Sequence, residues 1–393
     1  MDAVVERYLA LALRLGRHVD GFVDAYYGPP ELAELVEGEA PAEPVALAEE
    51  ARAVADAIPM DWDESRRRWL SAQLRSCETL AARLGGEELR WSELVERLYG
   101  IRPSRANEDE MSAAHRLLDE ALPGPGPVQE RYERWLMAQT VEPERILAAA
   151  RRVCEPLRAR ARELAALPDD EAFELELVSD EPWSAYNYYL GGHRSRVVIN
   201  TDVPVWSHVL VVLVAHELYP GHHTEGVSKE VELRGRRGWD EHSVLLVLAP
   251  QSLLAEGIAT LALEQALGAD AHAVAGELLQ PLGVPYDADT ATALRQAQEL
   301  LAGARVDAAF QLHEEGRPLD EVREYLLHWT LRPRENVDQS LSFITDPTWR
   351  AYVSTYVDGY RVCRAYVGGD DERFARLLRE PVLPSDLAVE AAG

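Results

Sequence analysis

The sequence predicts a mainly α fold carrying one small β element. Apolar residues recur at three- and four-residue spacing through most of the chain, the pattern of helices with one buried face. One stretch, residues 172–201, alternates apolar with polar residues and is rich in aromatic and β-branched side chains, the pattern of short strands. With 393 residues, 47% of them hydrophobic, the chain is long enough to bury a sizeable core.

Taken in order, residues 1 to about 165 form an N-terminal helical region. The runs ERYLALALRLGRHVDGF, SRRRWLSAQLRSCETLAARL and ERILAAARRVCEPLRARARELAAL carry the helical period. Breaks fall at YYGPPE (26–31), GIRPS (100–104) and PGPGP (123–127), where proline and glycine interrupt the period. YYGPP reads as a packed turn and PGPGP as a turn or short linker. AFELELVSD, AYNYYL and SRVVINT then read as two or three strands, the last two separated by a Gly-Gly-His turn. Helices resume at 204 and continue nearly to the end, with a docked or loose tail after about 378. The division expected is 1–165 and 166–393, packed as one integrated domain.

Composition excludes several functions. There are 68 acidic against 40 basic residues, a net charge of -28. Such a surface repels phosphate backbones and anionic membranes, so neither nucleic acid nor a membrane is an expected partner. The three cysteines, Cys77, Cys154 and Cys363, are far apart and form no paired motif; with no basic, apolar leader at the start, a cytoplasmic location is expected. Lys229 is the one lysine, so there is no Walker A lysine, and neither a GxSxG elbow nor a GxGxxG loop occurs.

The chemistry concentrates in VPVWSHVLVVLVAHELYPGHHTEG. Pro204 suits a first helical turn, with Asp202 near the cap. A zinc hydrolase needs two neutral imidazoles on one ion and a carboxylate beside the reacting water. In HExxH a straight helix does this at four-residue spacing. Here the fourth residue after His216 is Pro220, which removes a helical hydrogen bond and clashes with the carbonyl of residue 216. The helix must break at Pro220-Gly221. That break can swing His222 back towards His216 as the second ligand. His223 would share that face only on a straight helix and is otherwise left to contact substrate. Glu217 follows His216 and would take the water's proton. Downstream, LLAEGIATLALEQAL places Glu256 within an apolar face, costly unless the carboxylate is paired or holds metal; Glu264 is the weaker candidate third ligand.

HELYPGHH followed by AEGIA resembles the bacterial domain-of-unknown-function 885 family, read as zinc metallopeptidases with HExxPGHH and a downstream EGWA; Ile258 stands where the family has tryptophan. The likeness continues in ARVDAAFQLHEEGRPLDEV, matching Arg305, Asp307, His313 and Gly316, and in DPTWRAYVSTYVDG, placing Tyr356 and Gly359. It covers roughly residues 180 to 365. The resemblance implies a helical two-lobed gluzincin-like fold with a cleft, a small hairpin or sheet near the active site, and one Zn2+ ion held by His216, His222 and Glu256. Tyr356 would donate to the oxyanion, with Tyr352 and Tyr360 as rivals. His313 would do the same or orient another group, and Arg305 would bind a substrate carboxylate. An edge strand over Arg196–Asn200 would serve as a rail for an extended peptide.

The function expected is hydrolysis of a peptide or small amide, with Glu217 as general base. Two alternatives stand beside it: a zinc hydrolase of a non-peptide amide or ester, and a non-catalytic helical scaffold with structural metal.

Overall fold

A computed structural model describes residues 1–181 and 183–391. Eight helices occupy Ala3 to Ala165 among the described residues. Their ends follow local chemistry. The Asp2, Asp63 and Asn107 side chains accept from the first free backbone N–H groups of their helices. Gly100 closes another helix at φ 74°, a left-handed conformation that glycine adopts at little cost. GIRPS and PGPGP fall between helices, while YYGPPE spans the end of a strand at Tyr26 and the start of a helix at Pro30.

The N-terminal region is not helical throughout. Strand β1 (Val23–Tyr26) interrupts it and pairs antiparallel with β5 (Val244–Leu246), about 220 positions away. No local period announced this strand, because its partner is remote. Arg66 adds a forked ion pair to Glu241, at 2.5 and 2.9 Å, and the Trp91 indole donates to the Arg350 carbonyl. One cluster of buried side chains runs from Val4 to Leu387, so the two regions share a core.

The β element has three strands: β2 (Ala172–Val178), β3 (Ala185–Gly191) and β4 (Arg194–Asn200). Their order is β2-β4-β3, with β2 parallel and β3 antiparallel to β4. The hairpin turns through Gly191, Gly192 and His193, all at positive φ. A Cβ on Gly191 would also meet Tyr27 at 2.6 Å. β4 is therefore central, with both edges paired. The rail expected over Arg196–Asn200 is corrected: the backbone there has no free edge, and β3 is the edge strand beside the helices below.

Five helices concern the site: α1 (Ser207–Glu217), α2 (His222–Lys229), α3 (Pro250–Leu267), α4 (Gly303–His313) and α5 (Val353–Val367). α1 begins later than expected. Pro204 precedes it, and Asp202 accepts from the Asp180 amide instead of capping it. α3 and α5 cross where both backbones lack side chains. A Cβ on Gly257 would lie 2.4 Å from the Gly359 carbonyl, and one on Gly359 would lie 2.2 Å from that of Leu253. The glycines of AEGIA and YVDG thus let two helices approach closely. No helix among the described residues is long and apolar enough to cross a membrane.

Candidate metal centre

α1 ends at Glu217, and α2 starts at His222. Between them Leu218 leaves the helical region at φ -112°, ψ -88°, and the Tyr219–Pro220 peptide is cis. The Gly221 amide reaches back to the Ala215 carbonyl at 3.0 Å, and the Thr224 amide to that of Leu218 at 3.2 Å. Only glycine fits this turn, since a Cβ on Gly221 would lie 1.9 Å from the His216 carbonyl oxygen.

The turn brings His222 Nε2 to 3.1 Å from His216 Nε2, with the rings nearly perpendicular. Glu256, on the second turn of α3, places Oε2 at 3.3 Å from His216 Nε2 and 3.9 Å from His222 Nε2. These three groups could hold a metal ion: all their ligand atoms lie within 4.8 Å of one another. The donor chemistry fits zinc. Ligands about 2.05 Å from a tetrahedral ion stand about 3.3 Å apart, close to the two shorter separations. Two imidazole nitrogens at 3.1 Å cannot both point protons at each other, so at least one presents a lone pair. Glu256 Oε2 is buried and has no hydrogen-bond donor among the described residues. The other oxygen accepts from the Tyr352 hydroxyl at 2.8 Å, which fixes the carboxylate. Glu264, eight residues along α3, is exposed and outside this group.

Charge is tightly coupled here. Burial works against charging His216, yet the Glu256 and Glu217 carboxylates beside it push its pKa up. Burial likewise raises Glu256, but the two imidazoles and Tyr352 outweigh it and hold the carboxyl low. Glu217 is buried, and that burial pushes its pKa up against the pull of His216 and His222. Its backbone carbonyl accepts from Asn187 Nδ2 on β3 at 2.5 Å, tying the strand to the end of α1.

His223 is corrected. Its side chain has no exposed surface, so it does not reach a substrate. Nδ1 meets Ser195 Oγ at 2.8 Å and Nε2 meets Glu171 Oε2 at 3.1 Å, while Tyr219 donates to the same oxygen at 2.5 Å. Burial would raise the Glu171 carboxyl, but hydrogen bonds from His223, Arg158 and Tyr219 bring it down to about 2. The network anchors the turn from behind.

His313 is corrected as well. At the end of α4 its Nε2 sits 2.7 Å from the Ile344 carbonyl, and its charged surroundings are Arg350, Arg83 and Glu314. It ties helices together, and the structure does not bring it to the histidine–glutamate cluster. Tyr356, in the first turn of α5, follows the N-cap residue Tyr352 by four positions, with ring centroids 5.4 Å apart, and it remains exposed. Arg305 makes no ion pair among the described residues and lines a cavity with Tyr356. Asp307 accepts from the Ala106 amide and the Tyr325 hydroxyl.

The sequence reading passed over Asp24 on β1, whose carboxylate accepts from the Tyr186 hydroxyl. Burial pushes the Asp24 carboxyl up, opposed by Tyr186 and the charge of His222. An acid between the hydrophobic ends of VDAY was the available signal, but only pairing of β1 with β5 carries it to the site. All three cysteines are buried thiols.

No family model matches the chain, and no curated protein matches it. Among solved structures, it is similar to a crystal structure described as "the putative lipoprotein from Colwellia psychrerythraea", at 16% identity. The match has a TM-score of 0.55 and covers 92% of this chain and 69% of that one. At this identity the likeness concerns the fold alone.

Proposed function

We propose that this protein is a zinc-dependent peptidase in which Glu217 is the general base. The observation that carries the reading is the convergence of His216, His222 and Glu256 at the end of the helix that also carries a buried carboxylate, Glu217, whose charge is coupled to all three. The resemblance of HELYPGHH and AEG to a metallopeptidase pattern supports it. A structural site has no use for the extra carboxylate, and it is normally closed by four protein ligands.

His216, His222 and Glu256 would hold one ion. Zinc bound there would supply Lewis acidity. Glu217 would take the proton from the attacking water and pass it to the leaving nitrogen, a transfer suited to a carboxyl held in a buried site. The His222 side chain is 23% exposed, so substrate has an approach. Among the described residues β3 has no strand partner on its second edge, and Asn187 on it reaches the Glu217 carbonyl, so an extended peptide can align there. Tyr356 donates to the developing oxyanion.

The test is Glu217→Gln. Peptide turnover should fall by about 100- to 10,000-fold, the range for loss of a general base, with one zinc per chain still present by elemental analysis. Retained turnover in that variant refutes the assignment.

A further inference from the structure

A cavity of about 190 Å³, many times the roughly 10–15 Å³ that one water needs, lies between the helices that carry Glu256 and Tyr352 and their neighbours. Its inner wall holds Thr260, one helical turn beyond Glu256, and Tyr356, one turn beyond Tyr352. It is thus continuous with the wall that carries the glutamate ligand.

Three arginines line it: Arg295, Arg305 and Arg332. The lining contains one acid, Glu299, and that carboxylate is already shared by Arg295 at 3.2 Å and by Arg364. Arg305 and Arg332 have no ion-pair partner among the described residues. Burial, together with the Arg332 charge, lowers the Arg305 guanidinium to about 10, so it stays charged at neutral pH. Neither partly buried guanidinium has an acid partner among the described residues, and an anion placed between them would be attracted by both. The rest of the wall is largely apolar, with Leu118, Leu294, Leu326 and Val337.

We propose that this cavity receives the carboxylate and apolar side chain of a substrate's C-terminal residue, so that the centre acts as a carboxypeptidase. This rests on the peptidase reading above. Arg305 and Arg332 bind the carboxylate, for which a planar guanidinium fork is suited. The apolar wall takes the side chain. Tyr356 lines the cavity and its ring packs on Tyr352, which donates to Glu256; a substrate seated in the cavity would present its last peptide bond towards that glutamate.

The experiment compares three peptides on the full-length, zinc-loaded protein: N-acetyl-alanyl-alanyl-leucine, its C-terminal amide, and N-acetyl-alanyl-alanyl-glutamic acid α-amide. The free acid should be cleaved at its last bond with kcat/KM about 100-fold above the leucine amide, as expected for charge-assisted hydrogen bonds to a buried site. Arg305→Ala and Arg332→Ala should each reduce that ratio to below about 10-fold. Arg332 follows the end of a helix and gives a second reading should Arg305→Ala fold poorly. An unchanged ratio in both variants overturns the proposal, as does equal cleavage of acid and leucine amide. Preferred cleavage of the glutamic acid amide overturns it too, by locating the recognised carboxylate on a side chain. Should no peptide be cleaved, the peptidase reading fails separately, and calorimetry judges the cavity. N-acetyl-leucine should then bind at least 10-fold more tightly than N-acetyl-leucinamide, with the difference lost in Arg305→Ala; absence of that difference overturns the assignment of the cavity.

Discussion

Replacing Gly221 by alanine tests the turn on which the centre depends. The new Cβ would lie 1.9 Å from the His216 carbonyl oxygen and 2.5 Å from that of Ala215. Real Cβ contacts are essentially never below 3.0 Å, so the turn must open by about 1.1 Å. The obstacles are backbone atoms at the end of a buried helix, with no flexible side chain to yield. Metal ligands tolerate about 0.2 Å. His222 follows Gly221 directly, so a displacement five times that tolerance removes it from the cluster. The 3.0 Å bond from the Gly221 amide to Ala215 goes with it. Overpacking of this kind costs about 3 kcal/mol. With an unfolding entropy of roughly 0.8 kcal/mol/K for a chain this long, the melting temperature should fall by about 4 °C. Zinc affinity, read by chelator competition, should drop at least about 100-fold, the upper end for loss of a mere supporting contact. Gly235→Ala is the control, because its Cβ would sit an ordinary 3.4 Å from the Glu230 carbonyl. A Gly221→Ala protein that binds zinc within about threefold of the parent, and melts with the control, would falsify this account of the turn.

Gly257→Ala should force α3 and α5 apart, since its Cβ meets the Gly359 carbonyl at 2.4 Å and Cys363 Sγ at 2.6 Å. A loss of at least about 2 kcal/mol in urea unfolding is expected, and a loss below 0.5 kcal/mol would show that the crossing is looser than described. Tyr356→Phe should lower kcat about 10- to 1,000-fold with zinc content and melting unchanged; an unaltered kcat removes Tyr356 from the oxyanion role. Glu171→Gln carries a pH signature. The folded carboxyl sits at about 2, below its ordinary 4.5, so its contribution is present above pH 4.5 and is lost as pH falls towards 2. The variant should be less stable by roughly 2 kcal/mol at pH 7, after a discount because Arg158 and Arg162 are partly exposed and screened. That gap should narrow below pH 4.5 and close only as pH approaches about 2 in urea unfolding, and a pH-independent gap would count against the network.

The helical class, the three-strand insertion and the interruptions of the N-terminal region were legible because each depends on neighbours a few residues apart. Helical period, alternation and the missing amide of proline act locally. The break at Pro220-Gly221 belongs to the same kind, as does the cost of an acid in the apolar stretch around Glu256. Tertiary structure decided what those residues meet. His222 and His223 are adjacent and chemically identical, yet one faces Glu256 and the other is enclosed by Ser195 and Glu171. β1 brings Asp24 in from the opposite end of the chain, and no local signal names β5 as its partner. β4 became central rather than an edge because β2 pairs with it across the hairpin. His313 was drawn off to Ile344, and Arg305 was left without an ion-pair partner among the described residues. A side chain's type fixes what it can bind; which partner reaches it is set by packing between segments hundreds of residues apart, where sequence spacing carries no distance.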